Sequence, residues 1–137
     1  MKISTVLLSI VTVISFTCSY FFNLTMDNIE QYLALTAVVF IDKFFGIIAG
    51  IKREGFKTYK ALKIFKTYFA WLVILTTILM IEKGFVGSGW MSETILIPFL
   101  VFQLISTLKN ASMAGFIKIE EVNSILDKID KHKGLRK

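Results

Sequence analysis

The sequence has few of the residues that enzymes and metalloproteins commonly use for chemistry. Its 137 residues include one cysteine, one histidine and one proline. A single cysteine cannot form a disulfide within the chain, and we interpret Cys18 as a small packing residue of an apolar helix. His132 lies in a basic stretch that has no cysteine or carboxylate cluster at metal-ligand spacing. We therefore predict that the protein is not an enzyme and has no catalytic residues, metal site or cofactor.

Long polar segments are also scarce. The chain is 55% hydrophobic and its mean hydropathy is +0.67, which is outside the range of ordinary soluble domains. A helix needs about 20 mainly apolar residues to cross a bilayer, and such runs lie at about 3–24, 31–52, 62–82 and 93–113. The predicted fold is an all-α integral membrane protein. Residues 1–115 form a small bundle of about four transmembrane helices, and residues 116–137 form a cytoplasmic tail.

The first and fourth apolar runs each leave an alternative open. The first could be a signal peptide, because Lys2 precedes it and small residues surround Cys18. Its apolar character continues to Leu24, so we favour a retained span. The fourth run is short as far as Lys109, and Pro98 is expected to kink its first turns. We expect this helix to continue to about residue 113, which would give it the length to cross.

Basic residues predict the orientation of the bundle. They gather in the loop before the third run and at the start of that run, at Lys52, Arg53, Lys57, Lys60, Lys63 and Lys66. The first loop contains Asp27 and Glu30 without a basic residue. Because lysine and arginine in short loops stay in the cytoplasm, both termini and the second loop are predicted to be cytoplasmic. This asymmetry accounts for the net charge of +6, so we predict no nucleic-acid partner.

The tail has the periodicity of an amphipathic helix. Its apolar residues recur three or four positions apart, at Ile119, Val122, Leu126 and Ile129. The tail ends in the basic stretch KHKGLRK, and each basic residue near an anionic surface contributes about 1 kcal/mol. Such a helix could lie on the inner leaflet or pack against a second copy. A solvated charged tail is the alternative.

The second apolar run contains two adjacent charges, Asp42 and Lys43. Each costs about 2.5 to 3.5 kcal/mol at the centre of a span, so both need protein partners or water. Asp42 shares one helix face with Gly46, Ala49 and Gly50, and the glycine pair allows another backbone to approach closely. We predict that this face associates with another helix, most simply in another copy of the chain.

The fourth run has a second polar stripe, formed by Gln103, Ser106 and Asn110 at about one helical turn from one another. Thr107 lies beside Ser106 and could take its place. One interpretation is hydrogen bonding between helices of one monomer. The other is a wettable face that lines an aqueous opening after several copies assemble.

Three segments together resemble a known family. They are DKFFGIIAG from Asp42, the loop KREGFKTYK from Lys52, and LISTLKNASMAG from Leu104. In this order, over roughly residues 12–131, they are similar to the phage holin family that includes the holin-like toxin-secretion proteins of clostridia. The sequence differs from the usual family pattern at Gln103 and Lys109, where the family has carboxylates.

The resemblance implies a function at the bacterial inner membrane. Proteins of this family accumulate there as homo-oligomers in the lipid bilayer and form lesions that release a cell-wall hydrolase or a toxin. Two other functions remain compatible with the residues: a membrane anchor of a secretion or contractile injection assembly, and a small ion channel or transporter.

Overall fold

The computed structural model describes residues 2–55 and 58–134, without the side chains of Lys60, Ala61 and Lys133. In these residues the chain forms five α-helices and no strand. The helices are α1 (Lys2–Asp27), α2 (Ile29–Glu54), α3 (Thr58–Gly84), α4 (Met91–Met113) and α5 (Ile119–Gly134).

Four of the helices are long and apolar enough to cross a membrane. The candidate spans are Lys2–Asp27, Ile29–Glu54, Leu62–Gly84 and Met91–Met113. The shortest have 23 residues, or about 35 Å at 1.5 Å per residue, and the hydrocarbon core of a bilayer is about 30 Å thick. These helices indicate a membrane protein and confirm the prediction of four apolar helices. The fourth helix includes Pro98 and continues past Lys109, as expected from the sequence.

The connection between α1 and α2 differs from the loop that the sequence suggested. Only Asn28 separates the two helices. Its backbone N–H donates to Thr25 O at 3.3 Å, and its side-chain amide donates to Leu24 O at 2.9 Å. These local bonds satisfy the end of α1, so the acidic residues around Asn28 belong to helices. Asp27 ends α1 and forms a 3.2 Å ion pair with Lys83 at the end of α3.

The core of the bundle lies among α2, α3 and α4, and α2 packs most extensively against α4. Buried core residues are Leu24, Tyr32, Leu35, Val39, Leu75, Leu79, Leu96 and Phe99. Trp71 of α3 stacks on Phe99 of α4 with 3.5 Å between ring centroids. By contrast, every residue of α1 from Lys2 to Ser19 is exposed. The first helix therefore joins the core only near its carboxyl end.

α2 and α4 run in the same direction. Glu30 near the start of α2 lines a cavity with Ser92 near the start of α4. At the other end, Lys52 Nζ donates a hydrogen bond to Ala114 O, directly after α4. This parallel arrangement places the polar residues of the two helices at matching depths in the bundle.

α5 turns back and packs against α4. The reversal occurs at Gly115, whose φ of +89° favours glycine. On α5, Val122 is fully buried, while Lys128 and His132 line a groove that also contains Pro98. The tail contains a helix that lies along α4 in this structure, and an amphipathic role for it stays a prediction. Its predicted place at the cytoplasmic surface remains a prediction.

Candidate functional site

The buried carboxylate of Asp42 marks the centre of the candidate site. Asp42 is 0% exposed, although it lies in the second apolar helix. Asn110 of α4 donates from Nδ2 to Asp42 Oδ1 at 3.1 Å, and the same nitrogen lies 3.4 Å from Asp42 O. The partner that the sequence predicted for Asp42 is thus a helix of the same chain. No second copy is needed to account for the burial of this carboxylate.

Lys43 provides the opposite charge. Its Nζ lies 2.9 Å from Asp42 Oδ2, and its side chain is 34% exposed. Among the described residues, no donor reaches Oδ2 in hydrogen-bonding geometry, so the ammonium approaches as an ion pair outside the preferred hydrogen-bond direction. Breaking a buried pair by removing one partner is strongly destabilising, because the remaining charge is uncompensated. The two adjacent charges of α2 therefore stabilise each other inside the bundle.

Gly46 makes room for the side chain of Asn110. A Cβ atom at Gly46 would lie 3.3 Å from Asn110 Nδ2, closer than most Cβ contacts, whereas a Cβ at Gly50 would meet nothing within 4 Å. Only the first glycine of the predicted pair therefore packs against another helix. Ala49 and Gly50 instead line an open cleft between the ends of α2 and α4.

The polar stripe of α4 is divided between two environments. Asn110 Nδ2 lies 3.5 Å from Ser106 Oγ, so Ser106 extends the cluster that contains Asp42. Thr107 donates to Gln103 O within its own helix. Gln103 Oε1 is buried and has no hydrogen-bond partner among the described residues. We define the α2–α4 polar cluster as Asp42, Lys43, Gly46, Ser106 and Asn110.

The basic residues at one end of the bundle have different surroundings. Lys52 contacts the end of α4, and Arg53 Nε lies 3.5 Å from Glu54 Oε1 on the surface. Lys63 lines a small cavity with Lys43, and Lys66 is exposed. Two further residues were predicted to belong to this basic group. Lys57 and the side chain of Lys60 lie outside the part of the chain that the structure describes.

Two hydrogen bonds between α2 and α3 were not predicted from the sequence. The Tyr32 hydroxyl and Thr76 Oγ1 are 2.8 Å apart, and Thr36 Oγ1 lies 2.9 Å from the Tyr68 hydroxyl. Hydroxyl groups within apolar helices require partners, because lipid provides none. Tyr32 and Thr36 lie four residues apart and therefore share one face of α2. This spacing could have predicted a polar contact between α2 and another helix.

The described residues contain no group of three or more His, Cys, Asp or Glu side chains that could hold a metal ion. The chain matches no protein-family model, no curated protein and no solved structure. The resemblance described above consequently rests on the sequence motifs, and the functional interpretation rests on the geometry of the α2–α4 polar cluster.

Proposed function

We propose that the protein is a holin-like protein of the bacterial inner membrane. It accumulates in the lipid bilayer with both termini in the cytoplasm, assembles into homo-oligomers and forms lesions without catalysing a reaction. A cell-wall hydrolase or a secreted toxin would be the cargo. The motifs around Asp42 and Asn110, two regions of the resemblance, support this proposal because they meet in the α2–α4 polar cluster.

The observation that carries the proposal is the burial of Asp42 against Asn110 between two apolar helices. A protein that accumulates in the membrane without permeabilising it needs to bury its polar groups away from lipid. A protein that later opens an aqueous lesion needs such groups to face water. The same cluster serves both states if α2 and α4 are paired in the closed state and separate in the open state. Two packings that differ by a few kcal/mol are sufficient for this switch.

The exposed length of α1 supports assembly. Its residues from Lys2 to Ser19 are exposed, and they include large apolar side chains such as Leu7 and Phe16. This surface is compatible with lipid and also available to another copy, because helix association in membranes depends on close packing rather than on exclusion of water. We expect lesion formation to begin when copies associate laterally.

Controlled expression in a bacterium tests the proposal. We expect normal growth for a period, then an abrupt arrest that coincides with entry of a membrane-impermeant dye. Asp42→Asn keeps the size of the side chain but removes its charge and the ion pair with Lys43, so the onset should shift by a factor of about two or more. Asp27→Asn is the matched control, because Asp27 is exposed and pairs with Lys83 at the surface, and it should behave like the parent.

Other outcomes distinguish the alternatives. Collapse of the membrane potential without passage of a dye or a periplasm-targeted enzyme would favour an ion channel. Cells that tolerate high membrane levels with an intact potential would contradict the holin proposal and favour an anchoring subunit.

A further inference from the structure

The parallel helices α2 and α4 leave a cleft at the end of the bundle where α2 leads into the basic loop. The cleft has a volume of about 390 Å³. Its floor is formed by the small residues Gly46, Ala49 and Gly50 of α2, and Met113 of α4 contributes an apolar wall. We call this feature the basic cleft, because Lys52 and Arg53 also line it.

The mouth and the inner end of the basic cleft differ in charge. Lys52 and Arg53 belong to the last turn of α2. Asn110, which binds the buried Asp42, lies at the inner end of the cleft beside Gly46. An anion is therefore attracted to the mouth, whereas the carboxylate deeper in the bundle is already paired with Lys43 and gives the inner end no net attraction for an anion. This difference favours a negatively charged group at the level of the helix ends.

The two cations at the mouth, Lys52 and Arg53, can still bind an anion in spite of the contacts that they make. Lys52 donates to the neutral carbonyl of Ala114, which leaves its positive charge uncompensated by that contact. The Arg53–Glu54 pair is a 3.5 Å contact between largely exposed groups, and exposed pairs of this kind contribute little free energy. A phosphate with two or more acceptor oxygens can replace such a contact with charge-assisted hydrogen bonds.

We propose that the basic cleft binds an anionic phospholipid. The headgroup phosphate lies between Lys52 and Arg53, at the level of Met113, and an acyl chain follows the small residues of α2 from Gly50 toward Gly46. Basic pockets between membrane helices bind anionic headgroups in this manner. A lipid is favoured over a free phosphate because the cleft continues from the charged mouth along an apolar floor. This proposal requires that the chain spans a bilayer but does not depend on lesion formation.

Retention of lipid by the purified protein tests the proposal. The protein in a neutral detergent is incubated with dioleoylphosphatidylglycerol or with dioleoylphosphatidylcholine, and retained lipid is counted by native mass spectrometry. We expect selective retention of phosphatidylglycerol. Arg53→Gln should weaken it about fivefold, which corresponds to about 1 kcal/mol for one basic residue. Lys66→Gln is the matched control: Lys66 is an exposed lysine of α3 that does not line the cleft, and the loss of its charge should leave retention within twofold of the parent.

A second variant tests the cleft without changing its charge. Gly50→Leu places a side chain in the open space above Gly50, where a Cβ atom meets nothing within 4 Å. We expect this variant to keep its helical circular dichroism and to retain at least threefold less phosphatidylglycerol. Equal losses in Arg53→Gln and Lys66→Gln would overturn the proposal in favour of diffuse surface attraction. Equal retention of phosphatidylcholine, or displacement of the lipid by inorganic phosphate, would also overturn it.

Discussion

At the scale of single residues, the need for a partner was predictable and the identity of the partner was not. A carboxylate within an apolar run must be paired, so Asp42 could be recognised as part of a helix interface from the sequence alone. Its partner Asn110 is far along the chain, and one sequence contains no information about the relative depth of two helices. The same limitation explains why Gly46 and Gly50 seemed equivalent, although only Gly46 contacts Asn110.

The two glycines therefore provide a matched pair of variants. Alanine at either position improves helix propensity by roughly 0.5 to 1 kcal/mol relative to glycine. At Gly46 this gain is opposed, because the new methyl group displaces Asn110 and weakens its bond to Asp42. Hydrogen bonds between membrane helices contribute about 0.6 to 1.7 kcal/mol. We expect Gly46→Ala to be about 1 kcal/mol less stable than Gly50→Ala in reversible unfolding followed by circular dichroism. Equal stability of the two variants would show that Asn110 tolerates the methyl group.

At the scale of helices, hydropathy identified all four candidate spans. The residues at which the helices begin and end depend instead on individual hydrogen bonds. Asn28 satisfies the end of α1 with its own side chain, so the predicted acidic loop is reduced to one residue. Ser92 N donates to Glu82 Oε1 at 2.6 Å, which provides an acceptor for the start of α4. Neither contact follows from periodicity, because each depends on where the chain reverses. The turn at Gly115 likewise decides where α5 packs.

The position of α5 leads to a prediction about the protein in a bilayer. Lys128 lines a groove with residues from the middle of α4, such as Val101. Its neighbours Asp127, Asp130 and Lys131 are exposed. Four charges at that depth would cost roughly 10 to 14 kcal/mol. Packing of Val122 and its apolar neighbours against α4 cannot offset this cost, because lipid solvates those side chains equally well. We expect α5 to leave α4 and lie at the cytoplasmic surface.

Cysteine labelling measures both the position of α5 and the orientation of the chain. In a Cys18→Ser background, Lys128→Cys should react with a membrane-impermeant maleimide in inside-out vesicles and be protected in spheroplasts. Gly89→Cys, in the loop before α4, should show the opposite pattern and serves as the control. Protection of Lys128→Cys on both sides would mean that α5 remains against α4. Labelling from the outside alone would mean that the fourth helix does not cross as proposed.

At the scale of the whole molecule, the apolar composition predicted a helical membrane protein, and the four candidate spans agree with it. The distribution of contacts was not predictable. The chain concentrates its packing between α2 and α4 and leaves most of α1 exposed. The hydrophobic pattern could not distinguish these helices, because a face toward lipid and a face toward protein are equally apolar. Only the placement of the polar side chains identifies α2 and α4 as the main packing interface.

The central claim is that α2 and α4 must separate for a lesion to form. A reversible crosslink between Gly46→Cys and Asn110→Cys in a Cys18→Ser background tests it directly, because these two residues are in contact across the interface. The protein is reconstituted in phosphatidylglycerol and phosphatidylethanolamine vesicles that contain a dye, and each single-cysteine variant is oxidised in parallel. We expect the oxidised double variant to retain the dye and to release it after reduction, while the single variants release dye under both conditions. Equal release by the fully crosslinked and the reduced protein would contradict the claim.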